Sequence, residues 1–155
     1  MWAKDLRTIM MADYRTRHVF QGVFACDTLP TLAPRGRATA WIINTDPSFK
    51  KGEHWLALYI DPFGRGTYFD SYGFGPVIDS IRRFISKNTT TLKYNTTLLQ
   101  SITSELCGYY CVMFIRAMVC GLSLEHIVSR FDLFHPTKND SLVIHFFRHH
   151  RDMWA

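Results

Sequence analysis

A long apolar run begins just after Cys107, and it constrains the fold of this chain more than any other feature. The run extends from Tyr109 to Ile115 and follows a largely polar stretch, residues 100–105. An uninterrupted apolar series of this kind indicates a helix that is buried on most of its surface. The sequence therefore predicts a loop that turns into a buried helix, with Cys107 at or near the first turn.

A thiol at the start of a helix has a chemical advantage. It faces unpaired backbone N–H groups and the positive end of the helix dipole, and both lower the pKa of a thiol. Gly108 would leave room for a substrate backbone, and Gln100, seven positions before Cys107, could donate a hydrogen bond to a developing oxyanion. The alternative is a small buried cysteine that packs at the start of a core helix, which is a common place for free cysteines.

Length and composition indicate one globular domain spanning residues 1–155. Hydrophobic residues make up 47% of the chain and charged residues 20%, which is ordinary for a folded protein. No apolar run approaches the roughly 20 residues that span a bilayer, and the first residues mix charges without the apolar core of a signal peptide. We expect an intracellular protein that is not secreted and does not contact a membrane.

The four cysteines favour neither a disulfide framework nor a metal site. Three of them lie in one apolar segment, which is poor spacing for disulfides. Cys107 and Cys111 share a helix face, so zinc is conceivable, but there is no paired CxxC motif and we expect no metal. The net charge of +5 permits contact with DNA or another polyanion, although the small basic clusters are more typical of a solvated surface.

Hydrophobic periodicity and turn residues predict an α+β domain with three or four central strands and flanking helices. The predicted helices cover residues 4–11, a segment opened by Pro76, the segment from Cys107 to a stop at Gly121, a short helix capped by Ser123 and ending near 131, and a last helix from 139 or 140. The predicted strands cover residues 38–44, 54–60, 67–70 and 92–99. A loop is expected to fill residues 12–37.

His54 and Asp70 supply the second half of a candidate active site. His54 begins one strand of the predicted hairpin and Asp70 ends the other. Since the start of one antiparallel strand lies beside the end of its neighbour, the imidazole and the carboxylate are predicted to share one edge of the sheet. A thiolate nucleophile needs such a base and a group that orients it. Five other histidines, at positions 126, 135, 145, 149 and 150, are expected to have no acidic residue placed opposite them, and His18 is expected in an irregular basic loop.

Three segments together resemble a known family of proteases. They are Gly52-Glu-His-Trp-Leu-Ala-Leu-Tyr59, Tyr68-Phe-Asp-Ser-Tyr-Gly-Phe-Gly75, and Gln100 with Cys107-Gly-Tyr-Tyr-Cys-Val-Met-Phe114. In this order they resemble the adenovirus endopeptidase (adenain) family, including relatives encoded by Maverick/Polinton transposons. The likeness covers roughly residues 5–120. Proteases that process ubiquitin-like modifiers share the order of His, Asp, Gln and Cys but less of the surrounding sequence.

The resemblance implies a permuted papain-like fold and a role for each matching residue. His54 would be the general base, Asp70 its orienting acid, Cys107 the nucleophile and Gln100 an oxyanion donor beside the backbone N–H of Cys107. Trp55, Glu53 and Gly108 would contact substrate. The implied reaction is hydrolysis of viral or virus-like capsid and core precursors at glycine-containing sites through a thioester. No cofactor is needed for this chemistry, and a monomer located in the virion, nucleus or cytoplasm is expected.

The chain also departs from the adenoviral pattern. The acid is Asp70, as in the modifier proteases, where adenoviral enzymes usually carry Glu. No cysteine lies between Asp70 and Cys107, so the disulfide-linked activating peptide of adenoviruses is not expected, although a non-covalent peptide or DNA could still activate. The part after Gly121 is shorter than in adenoviruses. Two alternatives to a precursor protease stay open, namely a protease acting on host ubiquitin-like modifiers and an inactive DNA-binding module.

Overall fold

The computed structural model describes residues 1–149, and within them the strands form one mixed sheet. In chain order the strands are β1 (Phe20–Ala25), β2 (Thr39–Asn44), β3 (Trp55–Ile60), β4 (Arg65–Phe69) and β5 (Thr91–Tyr94), and they lie in the same order across the sheet. The central strands β2, β3 and β4 are antiparallel, whereas β1 and β5 pair in parallel at the two edges. The expected α+β class and the β3–β4 hairpin are confirmed.

Helices cover both faces of this sheet. In chain order they are α1 (Ala3–Ala12), α2 (Asp79–Asn88), α3 (Cys107–Val119), α4 (Leu124–Ser129) and α5 (Pro136–His149). Successive strand residues point to opposite faces, so Ala57 packs with the cluster that includes α1, α3, α4 and α5, while its neighbours Leu56 and Leu58 pack against α2. No helix within residues 1–149 is long and apolar enough to cross a membrane.

The helix α3 is the buried helix that the sequence predicts, and it starts at Cys107. Nine of its residues are buried, and Phe114 stacks on Phe69 of β4 with ring centroids 4.8 Å apart. Leu106 at the N-cap provides no side-chain hydrogen bond, so the first N–H groups stay available to ligands near the sulfur. The helix ends at Val119 with Cys120 as its C-cap. Gly121, the expected stop, follows the cap, and its φ of +86° suits a glycine there.

The structure corrects four predicted boundaries. Residues 20–25 form β1, although the sequence predicts a loop there. Gly22, with φ of +140°, creates a bulge in this strand, and the bulge disrupts the alternation by which a strand is recognised in a sequence. β5 is shorter than predicted and ends at Tyr94. α2 begins at Asp79 rather than at Pro76. α5 begins at Pro136, where a proline suits the first turn, instead of at 139 or 140.

Candidate active site

His54 and Asp70 meet at one edge of the sheet. His54 immediately precedes β3 and Asp70 immediately follows β4, and the Nε2 atom of the ring lies 2.7 Å from Oδ1 of the carboxylate. Both side chains are largely withdrawn from water, with 12% and 5% of their surfaces exposed. Because Nε2 is engaged by Asp70, Nδ1 is the nitrogen that remains to face Cys107. The hairpin geometry therefore brings together the imidazole–carboxylate pair that the sequence predicts.

Backbone and side-chain amides hold Asp70 in place. Its Oδ1 accepts a hydrogen bond from the backbone N–H of Tyr72 at 2.8 Å. Buried Asn95 binds the backbone on both sides: its Oδ1 accepts from the N–H of Asp70 at 3.0 Å, and its Nδ2 donates to the Asp70 carbonyl at 2.6 Å. A carboxylate fixed in this way can orient the His54 ring and stabilise its protonated form. Asn95 was missed by the sequence reasoning, which placed it inside a strand.

The first residue of α3 places the Cys107 sulfur against His54. Burial raises the pKa of this thiol, but hydrogen bonds from His54 and from the backbone N–H groups of Trp55 and Gly108 outweigh burial, so the pKa lies below the ordinary value of 9.0. For His54 burial acts in the other direction and lowers the pKa. Its hydrogen bonds to Asp70 and Cys107 outweigh burial and raise the pKa to about 9. The two shifts favour a thiolate–imidazolium pair, which is the reactive form of a cysteine nucleophile.

The thiol one helical turn further along has the opposite character. Cys111 is fully buried, and burial raises its pKa well above 9.0. A thiol of this kind is inert and packs as a small apolar side chain. Within residues 1–149 no group of three or more His, Cys, Asp or Glu side chains is arranged to hold a metal ion.

A second histidine also binds an acid, contrary to the expectation from sequence. The Nδ1 atom of His135 lies 2.9 Å from Oδ2 of Asp132, three residues earlier in the chain. Both side chains are substantially exposed, and Asp132 also accepts from the backbone N–H groups of Phe134 and His135. This pair therefore stabilises the turn before α5 and does not resemble the buried pair at the sheet edge.

Tyr72 covers one face of the His54 ring, and sequence reasoning gave it no role. The two rings stack with centroids 4.5 Å apart and planes 21° from parallel. Such a stack fixes the ring plane and is favourable for a protonated imidazole. The available signal was the position of Tyr72 two residues after the acid in Asp70-Ser-Tyr-Gly73, at the exit of the hairpin.

Gln100 lies beside the site but is completely buried. Its Oε1 accepts a hydrogen bond from the Ser71 hydroxyl at 2.6 Å, and its Nε2 donates to the carbonyl of Ser104 at 2.8 Å and to the Ser104 hydroxyl at 3.1 Å. The side chain is thus held rigidly, with its amide directed at Ser104. Its role as an oxyanion donor stays a prediction.

A cleft of about 320 Å³ opens above Cys107. Its walls contain two of the three predicted substrate-binding residues, Trp55 and Glu53, and further lining residues are Met1, Trp2, Lys51, Gly52, Tyr72, Ser104 and Glu105. Gly108 is different. A Cβ at this position would lie 3.2–3.4 Å from side-chain atoms of Leu6 and Met1, so the glycine allows close packing of the N-terminal segment. Its contact with substrate stays a prediction.

The assembled groups are sufficient for acyl transfer. They provide a thiolate, a ring that can deliver and accept a proton, a fixed carboxylate, and an open cleft at the sulfur. The backbone N–H of Cys107 at the start of α3 is a further donor for negative charge.

Comparisons with known proteins find viral proteases of similar sequence. No family model matches the chain. A protease of bovine adenovirus 4 is 26% identical over 124 residues, covering 68% of this chain and 59% of the relative, and a protease of snake adenovirus serotype 1 is 31% identical over 110 residues, covering 62% and 54%. The chain is therefore similar to adenovirus proteases over about three fifths of its length. A protein of African swine fever virus named SUMO-1 cysteine protease is 33% identical over 100 residues, covering 57% of this chain and 36% of the relative.

A crystal structure of the African swine fever virus protease is also similar. The two chains are 25% identical with a TM-score of 0.48, and the match covers 60% of this chain and 37% of the viral one. The chain thus spans between roughly one third and three fifths of the length of these relatives. The resemblance inferred from the three sequence segments is confirmed for viral proteases, and the likeness to transposon proteins stays a prediction.

Proposed function

We propose that the chain carries a cysteine endopeptidase site in which Cys107 is the nucleophile, His54 the general base and acid, and Asp70 the orienting carboxylate. The observation that carries the proposal is the position of His54. Its ring is 2.7 Å from Asp70 on one side and hydrogen-bonds Cys107 on the other, and the pKa of the thiol is lowered as a result. The sequence likeness to adenovirus proteases supports the same reaction.

The proposed reaction has two halves. The Cys107 thiolate attacks a peptide carbonyl, the resulting tetrahedral intermediate collapses, and the leaving amine takes a proton from the His54 imidazolium. A thioester remains on Cys107. Neutral His54 then removes a proton from a water molecule that attacks the thioester, and release of the carboxylate restores the thiolate–imidazolium pair. Asp70 stays ionised throughout and stabilises the imidazolium.

The proposed substrate is an extended, glycine-containing segment of a viral or virus-like capsid or core precursor. The likeness to adenoviral proteases supports a protein substrate, and the resemblance of the three sequence segments implies the precursor and the glycine-containing site. The same proposal includes activation by DNA or by a peptide. A peptide activator would bind non-covalently, because no cysteine lies between Asp70 and Cys107 to form a disulfide with it.

The test is replacement of the nucleophile. Cys107→Ala should reduce cleavage of a glycine-containing precursor peptide by about three to six orders of magnitude, as expected for removal of one member of a coupled catalytic unit. Cys111→Ala is the matched control, since that thiol is buried and its pKa is raised, and it should retain cleavage. Undiminished turnover by the Cys107→Ala protein would contradict the proposal.

A second candidate is a protease that removes ubiquitin-like modifiers from host proteins. The name of the African swine fever virus relative, SUMO-1 cysteine protease, and the use of Asp rather than Glu as the acid favour it. Release of a fluorophore from full-length modifiers and from precursor peptides should be measured side by side. Efficient release from a modifier alone would select this candidate.

Failure of an electrophilic thiol probe to label Cys107 in the folded protein would instead favour an inactive binding module.

A further inference from the structure

The first two residues of the chain lie in the same cleft as the nucleophile. Met1 and Trp2 line this cleft of about 320 Å³ together with Cys107 and Trp55. The volume is at the lower end of the roughly 300–1,000 Å³ that is usual for ligand pockets, so a molecule bound at the sulfur would lie close to every wall. Sequence reasoning gave Met1 and Trp2 no role.

Three contacts hold these two residues against β3, α3 and α1. The indole N–H of Trp55 donates a hydrogen bond to the Met1 carbonyl at 3.1 Å. The Met1 side chain packs over Gly108, where a Cβ would lie 3.4 Å from both the Cβ and the Sδ atom of Met1. The backbone N–H of Trp2 donates to the Asp5 carboxylate at 3.0 Å. The main chain at positions 1 and 2 is therefore anchored at the cleft.

Trp55 connects this anchored segment to the reacting groups. It follows His54 in the chain, and its backbone N–H donates to the Cys107 sulfur while its indole N–H holds Met1. A tryptophan side chain has only two rotatable torsion angles. One residue of limited freedom therefore determines how far Met1 lies from the sulfur.

The side chain of Trp2 is available to a substrate. It is 66% exposed although its residue lines the cleft. Tryptophan side chains are usually largely buried, and they are among the commonest energetic anchors of binding surfaces. Because the main chain of Trp2 is already fixed, a contact with its ring costs little conformational entropy. This combination suits a wall that contacts a ligand.

We propose that Met1 and Trp2 form a specificity-determining wall of the substrate cleft, which admits only small residues beside the scissile bond. The proposal rests on the proposed peptidase function. Met1 packs over Gly108, the residue after the nucleophile, so a bulky substrate side chain bound at the sulfur would collide with it. Trp2 continues the wall along the cleft. Trp55 is a positioning residue for the wall, through its hydrogen bond to Met1.

The first test uses peptide pairs that differ only in glycine or leucine beside the scissile bond, on the amino side and then on the carboxyl side. The wild-type protein should prefer glycine on at least one side. On that side Trp2→Ala should reduce the glycine-over-leucine ratio of kcat/KM by about tenfold or more, since size discrimination in a pocket is worth roughly 10–200-fold. Trp2→Phe keeps an aromatic wall and should retain most of the preference.

A matched control removes an exposed aromatic side chain outside the cleft. Tyr14 is 70% exposed and lies just beyond the other end of α1, so Tyr14→Ala should retain the wild-type ratio. No preference in the wild-type protein, or the same ratio in Trp2→Ala as in the wild-type protein, would overturn the proposal. An equal gain in kcat/KM for both peptides in Trp2→Ala would also overturn it, because the segment would then block the cleft without selecting.

The second test needs no peptide substrate. Iodoacetamide and its bulkier N-benzyl derivative attack a thiol by the same chemistry, and mass spectrometry of the Cys107 peptide gives the rate for each. Trp55→Phe removes the indole N–H but keeps a ring and the backbone N–H at the sulfur. In Trp55→Phe and in Trp2→Ala the ratio of the bulky to the small reagent rate should rise several-fold. A change that affects both reagents equally would show a merely structural role and would overturn the proposal.

The outcomes separate this inference from the proposed function. A wild-type protein that cleaves no peptide contradicts the peptidase function, and the wall then has no substrate to select. A wild-type protein that cleaves glycine-containing peptides, while the variants keep both the peptide ratio and the reagent ratio, contradicts only the role of Met1 and Trp2.

Discussion

The environments of two neighbouring thiols show how single side chains acquire opposite reactivity. Cys107 and Cys111 lie one helical turn apart and are both buried. Hydrogen bonds from His54 and two backbone N–H groups lower the pKa of Cys107, whereas Cys111 has only burial and nearby negative charge, which raise its pKa. Reactivity therefore follows from the groups around each sulfur and not from burial alone.

The paired shifts predict a bell-shaped pH profile for peptide hydrolysis. Activity should rise with pH as Cys107 ionises below its ordinary pKa of 9.0, and it should fall as pH rises through about 9, where His54 loses the proton it must deliver. The profile of kcat/KM measures both limits. In His54→Ala the acidic limit for alkylation of Cys107 should move to higher pH, and an unchanged alkylation profile would contradict the assigned ion pair.

The stack of Tyr72 on His54 predicts a smaller, separable effect. A contact between a cation and an aromatic face contributes roughly 0.5–1 kcal/mol, and one pKa unit corresponds to about 1.4 kcal/mol. Tyr72→Leu should therefore lower the alkaline limit of the profile by roughly half a pH unit. Tyr72→Phe keeps the ring and should leave that limit in place. Identical profiles for Leu and Phe would show that the stack has no effect on protonation.

The connection after β4 joins the hairpin to the segment that leads to α3. The side chain of Asn95 binds the backbone of Asp70. The Ser71 carbonyl accepts hydrogen bonds from the backbone N–H groups of Leu99 and Gln100, and the N–H of Gly73 donates to the Asp70 carbonyl. At Gly73 φ is +79°, and a Cβ would lie 2.6–2.9 Å from the backbone of Thr97. These two segments can therefore pack only if position 73 lacks a side chain.

Substitution of this glycine should destabilise the connection more than a comparable change elsewhere. Gly73→Ala combines a left-handed backbone with a collision against fixed main chain. Gly36→Ala is the matched control, since φ is +77° but a Cβ at this position would have no neighbour within 4 Å. We expect Gly73→Ala to lower the free energy of unfolding by roughly 1–3 kcal/mol more than Gly36→Ala. Urea denaturation measures both, and equal losses would contradict the steric argument.

The molecule as a whole is a sheet with a core on each face, and α3 links the larger core to the site. Ile42, Ala57 and Phe69 form a row across the three central strands and share a cluster with α3 residues such as Phe114. Because the first residue of α3 is Cys107, the packing of this helix on the sheet determines where the sulfur lies relative to His54. Stability and site geometry are therefore coupled through one helix.

Truncation within this core predicts a large global effect. Phe114 is fully buried and stacks on Phe69, so Phe114→Ala should reduce the free energy of unfolding by about 3–5 kcal/mol. Phe49→Ala removes the same atoms from a side chain that is 81% exposed and should change stability by less than about 0.5 kcal/mol. Chemical denaturation with a cooperative transition provides the comparison. Similar losses in both variants would contradict the assigned core.

Prediction from sequence succeeded where local pattern and geometry agree. The start of α3 at Cys107, the β3–β4 hairpin and the shared edge of His54 and Asp70 all follow from apolar runs and antiparallel pairing. It failed at β1, where the bulge at Gly22 disrupts the alternation, and at the start of α5, where Asn139 and Asp140 resemble caps. Both of these side chains are instead buried. Asn139 donates a hydrogen bond to the Leu99 carbonyl, and Asp140 accepts one from the Tyr110 hydroxyl.

The sequence by itself determined the order of the chemical groups and the elements that carry them, because strand alternation, turn residues and helix starts are local properties. Only the tertiary structure decided which groups touch. Two contacts join segments 18 or more residues apart, namely the stack of Tyr72 on His54 and the hydrogen bonds of Asn95 to Asp70. A third, the hydrogen bond from the Gln100 amide to Ser104, depends on the orientation of a single side chain. Contacts of this kind arise from tertiary packing of separate connections, and no local pattern specifies them.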